Sequence, residues 1–92
     1  MWDWDEAKRR ANLAKHGVDF ADIERFDWGS ASFDTDDRHD YGERRIVSAG
    51  HIDGRLHLCT WTPRGGDIRI ISLRKANARE RKAYHRATAP HR

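Results

Sequence analysis

Five cations, Arg64, Arg69, Arg74, Lys75 and Arg79, lie on or beside one expected strand and the turn that leaves it, within the stretch from Arg64 to Tyr84. A nucleic-acid backbone is the natural partner for such a row. The sharper possibility is a reaction centred on phosphate. Metal-free RNA cleavage uses the 2′-hydroxyl as nucleophile on the neighbouring phosphate. It needs a base for that hydroxyl, an acid for the leaving 5′-oxygen, and cations around the phosphorane. Guanidinium groups suit the last role because their planar fork matches phosphate oxygens. One preorganised donor of this kind is typically worth about 10²–10³ in rate. Arg64 is expected in a loop joining two strands, and Arg74 where a strand gives way to a helix. Both reach a shared phosphate if the ends of neighbouring strands lie together. The alternative for Arg64, Arg69 and Arg74 is ordinary solvated arginines on a sheet.

Histidine has the intrinsic pKa for either proton transfer. His16 and Lys15 precede Gly17 at an expected helix C-terminus, where the dipole favours a charged imidazole. His16 is then a catalytic group or a cap for carbonyls, and Lys15 a phosphate contact or a surface lysine. His51 and His57 flank Asp53-Gly54, a type I′ hairpin signal. A two-residue turn pairs His57 with Gly50. It sets His57, Cys59 and Trp61 on one face and His51, Leu56 and Leu58 on the other, so the two histidines do not converge. Glu80 is a general base or the reciprocal partner of Asn77 in a capping box. Tyr84, a helical turn later, stacks a base or packs. His57-x-Cys59 lacks a second ligand pair, so no metal site is expected. Arg64-Gly65-Gly66 lacks the helix and the Lys-Ser/Thr of a phosphate-cradling loop, and a hairpin turn explains its glycines.

These side chains need a small scaffold to hold them. The chain has 92 residues, read as a single domain over 1–92. A domain this size buries somewhat over ~60% of its unfolded surface, so the four tryptophans should supply much of the core. Trp2 and Trp4 are core residues or anchors for a partner. The one cysteine excludes an internal disulfide and favours a reducing compartment. No apolar run approaches a membrane span, and the first residues lack the features of a signal peptide. A cytoplasmic location is expected. Charge is unevenly placed: residues 1–43 hold six Lys/Arg against twelve Asp/Glu, and residues 44–92 hold twelve against three. The second half therefore favours an acidic partner.

In chain order, Met1 to Trp4 reads as a short edge strand. Asp5 caps a helix from Glu6 to His16 that ends at Gly17. Ala7, Ala11, Leu13 and Ala14 are its expected inward contacts, with Lys8, Arg9, Arg10, Asn12 and Lys15 facing outward or toward a site. Asp19 caps a second short helix, Phe20 to Phe26. A strand from Ser30 to Asp34 leads to the acidic loop Thr35 to Gly42. Strands Arg44 to His51 and Arg55 to Thr62 flank the Asp53-Gly54 turn, and Pro63 to Asp67 turn into the last strand. There Ile68, Ile70 and Ser72 should share one side, and Arg69, Ile71 and Leu73 the other. A helix from Ala78 to Ala87 follows, stopped by Pro90, with His91-Arg92 as tail. The expected fold is α+β: two N-terminal helices and one C-terminal helix on one face of a small antiparallel meander.

At this point the chain resembles the BrnT toxin family of type II toxin–antitoxin modules. The likeness rests on Trp4-Asp5, Lys8, Asn12, Lys15-His16-Gly17-Val18 and Phe20. It continues through Arg64, Ile68-Arg69-Ile70-Ile71-Ser72, Arg74, Ala76, Glu80 and Tyr84. It implies a RelE-like ribonuclease fold and a metal-independent, cofactor-free endoribonuclease that slows translation. It also implies a BrnA-like antitoxin with a ribbon-helix-helix domain, and contact with operator DNA only through that antitoxin. Residues and resemblance together mark Arg64, Arg74, Lys15, His16 and Glu80 as the catalytic candidates. They mark Arg69, Lys75, Arg79 and Tyr84 as RNA contacts. Two other readings stay open: a basic module that grips RNA or ribosome without cutting, and an inactive relative acting as co-repressor. The acidic loop departs from the family pattern.

Overall fold

Asp5 starts the first helix, its carboxylate accepting the Ala7 and Lys8 N–H groups at 2.8 and 3.2 Å. Gly17 ends it at φ +70°, donating its N–H to the Leu13 carbonyl. Between them lies α1, Glu6–His16. The computed structural model describes residues 1–36 and 42–89. Its strands are β1 (Trp2–Trp4), β2 (Asp34–Thr35), β3 (Ile46–Ile52), β4 (Arg55–Arg64) and β5 (Asp67–Lys75), and α2 (Ala78–Thr88) follows. Pro90, His91, Arg92 and the middle of the acidic loop (37–41) lie outside the described residues.

Five strands form one sheet in the order β1-β5-β4-β3-β2. The β3–β4 hairpin turns at Asp53-Gly54 with φ of +50° and +80°, the left-handed pair that a type I′ turn requires. Gly50 accordingly faces His57, and His51 faces Leu56. The next hairpin turns on Gly65-Gly66 alone (φ +57° and +88°), so β4 continues through Pro63 to Arg64. The sheet is mixed, not antiparallel: β1 runs parallel to β5, with Trp2 opposite Ile68 and Trp4 opposite Ile70. No hairpin joins these two strands, so nothing local sets their relative direction.

Two expected elements take a tighter form. Phe20–Arg25 is a 3₁₀ helix, capped by Asp19 through the Ala21 N–H at 3.0 Å. Of the strand expected over Ser30 to Asp34 only Asp34 lies in one (β2), and the chain enters that stretch through a 3₁₀ turn, Trp28–Ser30. The reason is Asp27, whose carboxylate accepts from the Gly29 N–H and the Ser30 hydroxyl and so curls the chain.

A β-bulge sets the faces of β5. Thr60 lies opposite Ser72 but Trp61 lies opposite Ile70, leaving Ile71 as the extra residue. The period-2 expectation that Ile70 and Leu73 point apart therefore fails. Both are essentially fully buried in one core with Phe20, Ile23, Phe26, Cys59 and Trp61. Trp2, Trp4 and Trp28 pack against this cluster. Trp28 lies 5.6 Å from Trp2, 4.6 Å from Phe26 and 5.9 Å from Trp61, ring centre to ring centre. Phe26 sits directly on Gly50, where an added Cβ would come within 2.5 Å of the ring.

The other face of the sheet carries Ala49, Leu56 and Leu58, which pack with Ala76 and with Tyr84 of α2. Helical elements therefore cover both faces, not one. Helix α1 also departs from expectation. Ala7, Ala11 and Ala14 are exposed and Leu13 is 41% exposed, while Asn12 is buried and Arg9 and His16 are half-buried. Its inward stripe is polar because its neighbours are an uncapped strand edge and the Asp19 carboxylate. Arg9 pairs with Asp19 at 3.0 Å and also with Glu6.

Candidate nucleic-acid interface

Strand β1 covers only the first part of the outer edge of β5, from Ile68 to Ile70. Beyond it, Asn12 takes over. Its side-chain N–H donates to the Leu73 carbonyl at 2.7 Å and to the Val18 carbonyl at 3.0 Å, and its oxygen accepts the Leu73 N–H at 3.1 Å. The amide thus replaces the missing strand and fixes α1 against β5 at one register. An open cleft of about 240 Å³ results, lined by Lys8, Lys15 and His16 from α1 and by Ile71 and Ser72 from the bulge. Lys8 and Lys15, seven residues apart, share a helix face.

His16 looks onto this cleft. Partial burial lowers its pKa below the ordinary 6.5, and the charges of Lys15 and Arg74 lower it further. The sequence expectation had the opposite sign. Desolvation and two nearby cations outweigh the helix dipole, so neutral imidazole predominates at neutral pH.

Arg74 lies outside the cleft's lining but near enough to His16 for its charge to be felt there. It forms a bidentate pair with Glu80, Nη1 to Oε1 at 2.8 Å and Nη2 to Oε2 at 2.7 Å. Glu80 Oε1 also accepts the Asn77 N–H at 2.9 Å, and Asn77 Oδ1 accepts the Glu80 N–H at 2.8 Å. The expected capping box is complete. Hydrogen bonds from Arg74 hold the Glu80 carboxyl below its usual pKa, helped by the Asn77 N–H. A carboxylate so stabilised is a poor proton acceptor but a firm brace for Arg74.

The other arginines are also paired, Arg69 with Asp3 at 2.7 Å and Arg64 with Glu43 at 3.3 Å. The bulge brings Arg69 and Arg74 to one face of β5, where strict alternation would part them. Arg64 lies opposite Asp67, on that same face but at the far end of the strand. Arg74 is seven residue steps on from Asp67, one of them taken up by the bulge, so Arg64 and Arg74 stand roughly 20 Å apart. They do not meet at one phosphate, as the shared-pocket expectation required. The strand ends that lie together are those of one hairpin, whereas these arginines occupy opposite ends of the sheet.

The remaining candidates separate. Lys75 is exposed on the face opposite Arg74, in register with His57. Arg79 is exposed on the first turn of α2. Tyr84 is packed rather than presented for stacking: it is 9% exposed, donates its hydroxyl to the Ser30 carbonyl at 2.7 Å and abuts His51. His51 and His57 lie on opposite faces, as the turn dictates. His57 is buried, and desolvation lowers its pKa. Lys8 and Ser72 were not singled out by chemistry in the sequence, yet both line the cleft. The helical spacing of Lys8, Asn12 and Lys15 was the available signal for the first. Nothing local announces the second, because its direction depends on the bulge.

A family model described as the ribonuclease toxin BrnT of type II toxin–antitoxin systems matches residues 4–80. That span takes in α1, the whole sheet from β2 to β5 and the capping box. No curated protein matches the chain.

Proposed function

This chain belongs to the BrnT family of ribonuclease toxins of type II toxin–antitoxin systems, and we propose that it is a metal-independent endoribonuclease working in the cleft between α1 and β5. The observation that carries this reading is the cleft itself, with Lys8, Lys15 and His16 on one wall, Ser72 on the other and Arg74 near His16. Neutral His16 takes the proton of the 2′-hydroxyl as its oxygen bonds to phosphorus. The phosphorus–O5′ bond breaks and the leaving oxygen takes a proton from water in the open cleft, leaving a 2′,3′-cyclic phosphate and a 5′-hydroxyl end. Arg74, braced by Glu80, neutralises the phosphorane, and Lys8 and Lys15 hold the flanking phosphates. Glu80 is then a positioning residue. Arg69 and Arg64 continue the track along β5 for the rest of the strand, with Lys75 and Arg79 as outlying contacts. The fold, a single domain over 1–92, is of the RelE-like ribonuclease kind. The chain acts in the cytoplasm by slowing translation. A BrnA-like antitoxin with a ribbon-helix-helix domain silences it and mediates any contact with operator DNA.

Purified chain incubated with total RNA in EDTA should yield fragments with cyclic phosphate ends. Arg74→Ala should lower the rate by about 10²–10³. Intact RNA with the unmutated chain would sink the enzyme reading, and cutting abolished by EDTA would sink its metal independence. A second reading, an RNA- or ribosome-gripping module that does not cut, is favoured by one observation. Arg64, Arg69 and Arg74 are each engaged with a carboxylate. That module would bind RNA in the same assay and leave it whole.

A further inference from the structure

Helix α2 leaves an open groove of about 380 Å³ beside it. The floor is Val47, Ala49 and Leu58 from β3 and β4, and the helix wall is Ala83 and Ala87. The helix touches the sheet through Tyr84, whose hydroxyl reaches Ser30. Alanines on the adjoining stripe are too short to fill the space that remains. We infer that this groove seats an amphipathic helix of the antitoxin, its apolar side chains on Val47, Ala49 and Leu58 and its acidic side chains facing Arg79 and Arg86.

The inference rests on the toxin reading for the existence of an antitoxin, and on charge for its chemistry. Arg79 and Arg86 are exposed and share a helical stripe with Ala83, at i, i+4 and i+7. They flank Ala83 of the helix wall, outside the groove's own lining, and complement an acidic partner there. Small residues along α2 let a second helix approach closely, the helix-in-groove mode of recognition. RNA suits the groove poorly. Asp34 and Glu80 stand on its walls, and the ring of Tyr84 is buried. A phosphate backbone would meet carboxylates there, and a base would find no free aromatic face. The groove shares no lining residue with the α1–β5 cleft, though Glu80 on its wall is the brace of Arg74.

The test titrates the full chain with the antitoxin encoded beside it. Ala87→Arg places a charge in the groove at an exposed helix position, and circular dichroism verifies that the helix is kept. Affinity for the antitoxin should fall by at least about 100-fold, while RNA cleavage by the free variant stays unchanged. Arg86→Glu should cost about tenfold, a loss that shrinks in high salt. Unaltered affinity in both folded variants would overturn the inference. So would loss of RNA cleavage with antitoxin binding intact, which would make the groove an RNA surface. If the unmutated chain fails to cut RNA but Ala87→Arg still loses the antitoxin, the enzyme reading fails and the groove stands.

Discussion

On the proposed reading His16 is the base, and its environment sets its protonation. A general base works only when neutral, so activity should fall as pH drops through its pKa. Lys15 and Arg74 hold that pKa down. Lys15→Gln removes one of those charges, the pKa rises, and the acidic limb of the kcat/KM profile should move to higher pH. An unmoved limb would take His16 out of the base role. His57 shows the same direction of shift with a different consequence. It is buried, and desolvation is the main cause. Its folded pKa lies below the unfolded value of about 6.5. The unfolded chain therefore binds more protons in that range, and stability is full above it and lost as pH falls. Urea midpoints should drop between pH 7.5 and 5.5, and His57→Gln should flatten that drop.

At the scale of elements, two contacts decide whether the cleft exists. Asn12 satisfies both backbone groups of Leu73 and the Val18 carbonyl from a buried position. Asn12→Ala strands those groups, at a cost of about 2–3 kcal/mol by urea unfolding, and it should loosen α1 enough to lower cleavage as well. Gly50 matters for contact rather than for backbone conformation. The Phe26 ring rests where a methyl group would be, so Gly50→Ala should destabilise by about 1–3 kcal/mol through overpacking. Neither residue carries charge, and neither belongs to the chemistry. Both set where the charged residues stand.

For the molecule as a whole, the arginines of β5 and its hairpin form a track and not a clamp. On the proposed reading Lys8, Lys15, Arg69 and Arg74 hold four phosphates. A single strand held so should show a log–log salt dependence with slope near about −3. Lys8→Ala should make that slope shallower by about 0.7, and an unchanged slope would place the strand elsewhere. The basic cleft beside α1 and the apolar groove beside α2 have no lining residue in common.

Much of this was written locally in the chain. Asp5 and Gly17 bound the first helix, Asn77 and Glu80 the last, and Asp53-Gly54 fixed the pairing of His51 and His57, because caps and turns depend on neighbours a few residues apart. The charge asymmetry and the residues shared with the BrnT family were equally plain. What tertiary structure decided is of longer range. The parallel direction of β1 and the bonds of Asn12 to Leu73 depend on partners more than sixty residues distant. Pairing between strands chose where Ile71 would bulge, and that single extra residue put Arg69 and Arg74 on one face. Spacing along the sequence cannot encode such a step, because alternation holds only while two strands advance together.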